Sequence, residues 1–176
     1  MLEKYKTIEK MGYAETVEKK SRFLGVIKPV FSEEEAKAFI DETIKKYWDA
    51  THNVFAYQIG EKNEIQKFTD DGEPQGTAGK PILEVLKGEE IKNAIIIVTR
   101  YFGGTLLGTG GLVRAYGKAA KLALLDAGIV QKLLCYKYRV VCDYTLSGKV
   151  QYEILQKEYI LEDTLYTDKV EFSVLC

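Results

Sequence analysis

"RYFGGTLLGTGGLVRAYGKAAK", residues 100–121, holds six of the fifteen glycines of this 176-residue chain. It overlaps the end of the β-branched run "NAIIIVTRYF" and leads into "LVRAYGKAAKLALLDAG", so a strand, a glycine turn and a helix are expected in that order. The run reads as a strand covered on both sides. The helix is expected to turn Leu112, Ala115, Tyr116, Ala119, Leu122 and Ala123 inward and to stop at Gly128. Glycine costs backbone entropy wherever it stands, so a cluster has a geometric reason. Either the strand end and helix start pack closely, or the free N–H groups of the helix start cradle an anion. The named phosphate motifs fail. Gly108 and Gly110 begin a GxGxxG, but Val113 stands at its third glycine; Gly103 and Gly108 have Walker A spacing, but Thr109 stands where lysine is needed.

Charge sharpens the second reading. Arg114, Lys118 and Lys121 stand at i, i+4 and i+7 and so share a helix face, while Arg100 ends the preceding strand at the edge of the glycine turn. Between residues 78 and 121 seven basic side chains oppose three glutamates, in a chain whose net charge is −1. Lys80, Arg100, Arg114, Lys118 and Lys121 are therefore the expected phosphate contacts, with the Gly110 and Gly111 amides assisting. The same face would also suit an acidic protein partner. Tyr101 or Phe102 could stack on an unpaired base, though the core is the expected place for Phe102.

Outward from this stretch, "RFLGVIKPV" reads as a strand after a polar start, and "FSEEEAKAFIDETIKKYW" as a helix. Ser32 and Glu35 form a capping box, and Glu33, Glu34 and Glu35 complement the positive helix end. "NVFAYQIG" and "EIQKFT" read as a hairpin, and "ILEVLKG" as a short helix. "CYKYRVVCDY" alternates as a half-exposed strand, followed by the helix "LSGKVQYEILQKEY" and by one or two strands in "ILEDTLYTDKVEFSVLC". The change from glycine-rich to tyrosine-rich alternation places a domain boundary near residue 130, giving domains 1–130 and 131–176.

Composition excludes several classes. Hydrophobic residues make up 46% and charged residues 29%, ordinary for a globular protein. Three cysteines without CxxC spacing and one histidine, His52, give no disulfide framework and no zinc site. With no apolar segment of signal-peptide type and no run long enough to span a bilayer, a cytoplasmic protein without membrane contact is expected. "DDGEPQGTAGKP" (70–81) reads as a structured loop. Asp70, Asp71 and Glu73 could hold a cation or serve acid/base chemistry, as in an enzyme acting on a phosphorylated small molecule. An EF-hand opened by Asp71 would place Gly76 correctly but puts Ile82 where its glutamate belongs. His52 lacks a partner for a triad, so a hydrogen-bonding role is expected of it.

Together, "FTDDGEPQGTAGKPIL" and "VTRYFGGTLLGTGGLVRAYGKAA" resemble the signature of the YigZ/IMPACT family (UPF0029), as do "KSRFLGVIKPV" and "ATHNVFAYQIG". The family pattern falls on His52, Asp70, Asp71, Gly72, Glu73, Pro74, Gly76, Thr77, Gly79, Lys80 and Pro81 in one half. In the other it falls on Arg100, Tyr101, Phe102, Gly103, Gly104, Gly108, Gly110, Gly111, Arg114 and Ala115. The resemblance implies an α+β protein of two domains. The first would be a β-α sandwich of the kind seen in a small-subunit ribosomal protein and in domain IV of elongation factor G. The second would be ferredoxin-like, stopping short of a full β-α-β-β-α-β unit. That kinship implies binding to RNA or the ribosome. Eukaryotic relatives regulate translation through a regulatory protein partner. No cofactor or metal is implied, and no nucleophile–base pair stands out among these positions.

Overall fold

The computed structural model describes residues 4–176; the first three residues of the polar start lie outside it. It is an α+β chain that divides into two compact units, residues 1–132 and residues 133–176.

The first unit is built on a five-stranded antiparallel sheet. Its strands are β2 (Gly12–Glu18), β3 (Ser21–Pro29), β4 (His52–Ile59), β5 (Ile65–Phe68) and β6 (Ala94–Tyr101), in the order β2-β3-β6-β4-β5. The run "AIIIVTRY" lies at the centre because both its faces are apolar, and Ala94 to Val98 are sealed from solvent. Alternate side chains serve different cores. Ala94, Ile96 and Val98 face α2 (Gly79–Gly88) and α3 (Thr109–Ala127), whereas Ile95 and Ile97 face α1 (Glu33–Lys46). Helix α1 begins as its local signals predict: Ser32 Oγ accepts from Glu35 N at 3.2 Å. The Glu35 carboxylate accepts from Phe31 N at 2.8 Å, one residue before the amide a capping box would use.

Three strands escape the sequence reading. β1 (Lys4–Ile8) and β2 fall in the polar start, and β7 (Ile129–Leu133) pairs with β1 in a separate two-stranded sheet. Helix α3 begins three residues before Leu112, where its apolar pattern starts. Leu122 is 39% exposed, and Ala120, Leu124 and Ala127 are buried instead. Two sheet strands approach α3 too closely for a leucine rim, and alanines fill the contact.

The second unit holds β8 (Lys137–Cys142), α4 (Tyr144–Gln156), β9 (Ile160–Tyr166) and β10 (Val170–Leu175), with sheet order β8-β10-β9. Ile154 of α4 packs on Val170, Phe172 and Val174. This is the first part of a β-α-β-β-α-β plan. Tyr136, just before β8, and Tyr138 within it are largely exposed, while Val140 and Cys142 take the core contacts. Beside them lies an open apolar groove of about 530 Å³ floored by Val140, Val150, Ile154 and Val174.

Gly12 and Gly25 mark close approaches of the sheet to α3: a Cβ at Gly12 would stand 2.3 Å from the Ala123 carbonyl oxygen, and one at Gly25 2.7 Å from that of Ala119. Gly117, in the middle of α3, has nothing within 4 Å of the same atom. Gly25→Ala should therefore push α3 off the sheet and cost about 1–3 kcal/mol. Gly117→Ala should stabilise by about 0.5–1 kcal/mol through helix propensity. Urea unfolding of the two variants, read by circular dichroism, should move the midpoint in opposite directions.

Candidate functional site

The two glycine-rich segments meet inside the first unit. The loop before α2 is knotted by its own polar groups. Asp70 uses both carboxylate oxygens on backbone amides, accepting from Gly76 at 2.8 Å, Ala78 at 3.1 Å and Gly79 at 2.9 Å. It thus replaces the side-chain cap that Ala78 cannot supply to α2. Asp71 accepts from Asn53 N at 2.6 Å, and Thr77 Oγ1 donates to the Pro74 carbonyl at 2.6 Å. His52 Nδ1 lies 2.6 Å from the Asp71 carbonyl oxygen, an acceptor only, so this nitrogen carries the proton and donates. Both acids thus brace the loop against its own backbone and against β4. Among the described residues no group of His, Cys, Asp or Glu is placed to hold a metal ion.

Glu73 points the other way, into the protein. Its Oε1 accepts from Arg100 Nη1 at 2.6 Å and from the Tyr116 hydroxyl at 2.7 Å, with His52 Nε2 at 3.8 Å. Arg100 is only 5% exposed; its Nη2 reaches Ser21 Oγ at 3.4 Å, and its Nε is buried without a partner. The guanidinium lies over two rings, with Cζ 5.5 Å from the centroid of Phe23 and 5.5 Å from that of Phe102. Burial, and then the Glu73 carboxylate, push the Tyr116 hydroxyl far above its ordinary range, so Tyr116 is a fixed donor. One carboxylate thereby joins the loop, the central strand and α3.

The glycine turn runs over this cluster. Gly103 presses on the β2–β3 turn, where a Cβ would stand 2.1 Å from the Lys20 carbonyl carbon, and its amide donates to Ser21 Oγ at 3.1 Å. Gly108, at φ 74 and ψ 166, brings the chain into α3 by a conformation closed to other residues. The turn it meets is unusual. Glu18 and Ser21 pair across it, and the two residues between them, Lys19 and Lys20, take φ of 45° and 68°. Lys19, Gly111, Arg114 and Lys118 line a pocket of about 270 Å³ together with Glu18, Leu107 and Ala115. Glu18 bonds Lys118 Nζ at 2.8 Å, and this hydrogen bond, followed by the lysine's charge, holds its carboxyl below the usual range.

The basic residues singled out by sequence are thus not brought together as one surface. Arg114 and Lys118 converge on Gly111, with Gly110 next to them in the first turn of α3. Arg100 cannot meet a phosphate, because it is buried against Glu73. Lys121 leaves the shared face to bond Glu89. Lys80 is exposed in the first turn of α2, outside the pocket. Lys19 and Lys20 were missed. The signal that could have found them is "EKKS" between two alternating runs, read as a two-residue hairpin turn. Phe102, expected in the core, is 46% exposed.

Comparison with known proteins agrees with this two-part plan. Residues 19–124 match the family model of the Impact N-terminal domain, and residues 140–176 match a domain of unknown function, DUF1949. The chain is 46% identical over 172 residues to the IMPACT family member YvyE of Bacillus subtilis, covering 98% of this chain and 79% of that protein. It is 38% identical to the IMPACT family member YigZ of Escherichia coli, over 80% of this chain and 74% of that protein. A solved structure of a hypothetical protein superposes with a TM-score of 0.72 at 32% identity, over 99% of this chain and 86% of that one.

The buried pair makes a stability prediction. Glu73→Ala leaves the Arg100 charge uncompensated and should cost about 3–5 kcal/mol. Tyr116→Phe removes one hydrogen bond to a charged group and should cost about 1.5–3 kcal/mol. Replacing both ions, as Glu73→Leu with Arg100→Met, should cost less than Glu73→Ala alone. A double-mutant cycle by urea unfolding measures the difference, and strict additivity would refute the coupling.

Proposed function

The chain belongs to the IMPACT family, and from that premise we propose that it is a non-enzymatic, translation-associated factor of the cytoplasm that binds RNA, free or within the ribosome. The observation that carries the proposal is the pocket in which Lys19, Arg114 and Lys118 converge on the first turn of α3 at Gly111. Phosphate oxygens suit such a place twice over. The unpaired amides of the helix start donate to them, and the helix dipole favours their charge. Lys118 is tied to Glu18, but both side chains are substantially exposed. Exposed pairs are worth little, so a phosphate can take the lysine over at small cost. Phosphate contacts of this kind position a nucleic acid and carry no sequence information.

A second reading, a module for an acidic regulatory protein, draws on a different place. The apolar groove of the second unit is rimmed by Arg139, Lys149 and Lys157 against a single acid, Glu153. Such a rim fits an amphipathic segment with acidic flanks. Competition separates the readings: excess RNA should displace a partner held at the α3 pocket and leave one held in the groove.

Fluorescence anisotropy with a labelled RNA across a salt series tests the first reading. Neutralising about 3–4 phosphates should give a log–log slope of about −2 to −3 for a single strand. Arg114→Glu with Lys118→Glu should abolish binding while leaving the unfolding midpoint near that of the parent, since both side chains lie at the surface. Unchanged affinity in that folded variant would end the proposal.

A further inference from the structure

Phe102 is a large apolar side chain that the fold does not bury, although it follows directly on the buried central strand. Its position is fixed on several sides. Its own amide donates to Thr51 Oγ1 at 3.0 Å, and the next amide donates to Ser21 Oγ. Its ring rests on the Arg100 guanidinium, which Glu73 holds in place. An aromatic ring supported from inside by a cation and half open to solvent is a platform. Because the ring is already held, little side-chain freedom remains to be lost when something flat settles on it.

The platform also adjoins the cationic pocket. Gly103, one residue on, is in backbone contact with Lys20, and Lys19 of the same turn lines the pocket. The residue after Phe102 and the pocket therefore adjoin the same two-residue turn. We propose that the ligand of this site is single-stranded: an unpaired base stacks on the open side of Phe102 while a neighbouring phosphate enters the pocket of Lys19, Arg114 and Lys118. The inference rests on the RNA-binding reading and narrows it. A duplex is a poor fit, because its bases are already stacked on both sides and the A-form major groove is closed to side chains. Base–aromatic stacking is tolerant of sequence, so no strong base preference is expected.

Three labelled probes test this by anisotropy: a 12-nucleotide oligoadenylate, an RNA duplex of the same length, and a 12-unit abasic strand with the same phosphates. The oligoadenylate should bind more tightly than either of the others. Phe102→Ala should weaken oligoadenylate binding about 5- to 150-fold, the range of one base–aromatic stack, and leave the abasic strand unaffected. Phe102→Tyr should restore the affinity, and Phe102→Leu, which keeps an apolar side chain without a ring, should not. Phe102→Leu also decides the matter if the alanine variant fails to fold. Equal affinity of the duplex and the oligoadenylate, or an undiminished affinity in a folded Phe102→Leu variant, overturns the single-strand proposal. If the Arg114/Lys118 reversal still abolishes binding in that case, RNA recognition by phosphate contacts survives without it. Absence of binding to every probe at low salt overturns both.

Discussion

Among the described residues Arg100 is the one buried cation of the first unit, and the rest of the site depends on how that charge is held. A guanidinium removed from water must recover the lost hydration from fixed partners, or the fold gives way around it. Glu73 supplies the opposite charge from a loop 27 residues earlier. Tyr116 donates to the same oxygen from α3. Three segments distant in sequence are thereby forced into one relation. The glycine turn can then be glycine-rich without being undefined, because both its ends are anchored to this cluster.

The cluster also decides which charges remain outside. Positive charge spent on Glu73 is unavailable to a ligand, and Lys121 is likewise occupied with Glu89. What faces solvent at the start of α3 is a smaller set, Arg114 and Lys118, to which the β2–β3 turn adds Lys19 and Lys20. The same buried guanidinium supports the ring of Phe102 from beneath. Structural and exposed roles thus divide between neighbouring residues of one motif: Arg100 and Glu73 inward, Phe102 and Arg114 outward.

Much of this was legible in the sequence where the cause was local. Helix α1 announces itself through Ser32 and three consecutive glutamates. The central strand announces itself through an unbroken β-branched run. The family signature gives the two-part α+β plan. The failures share a cause, which is that partners far apart in sequence decide them. Arg100 looks like a surface cation because nothing near it in the chain is acidic, and Lys121 looks free because Glu89 lies across a packing interface. Phe102 looks like core, yet the sheet ends one residue before it. Leu122 fails for a different reason: at a tight helix–sheet contact small residues lie nearest the sheet, and the leucine is displaced to the side. Asp70 and Asp71 suggested chemistry, but Asp70 spends both carboxylate oxygens on backbone amides and Asp71 spends one.

The β2–β3 turn puts two lysines in left-handed backbone, a conformation that costs an ordinary residue about 1–2 kcal/mol. Asn-Gly would sit there almost without strain, and it is the pairing that two-residue turns favour. The most stable sequence for this hairpin and the most cationic one are therefore different sequences. A programme of thermal improvement that scored only melting temperature would choose Asn-Gly. It would erase Lys19 from the pocket, and Lys20 beside it in the turn, while reporting a better protein.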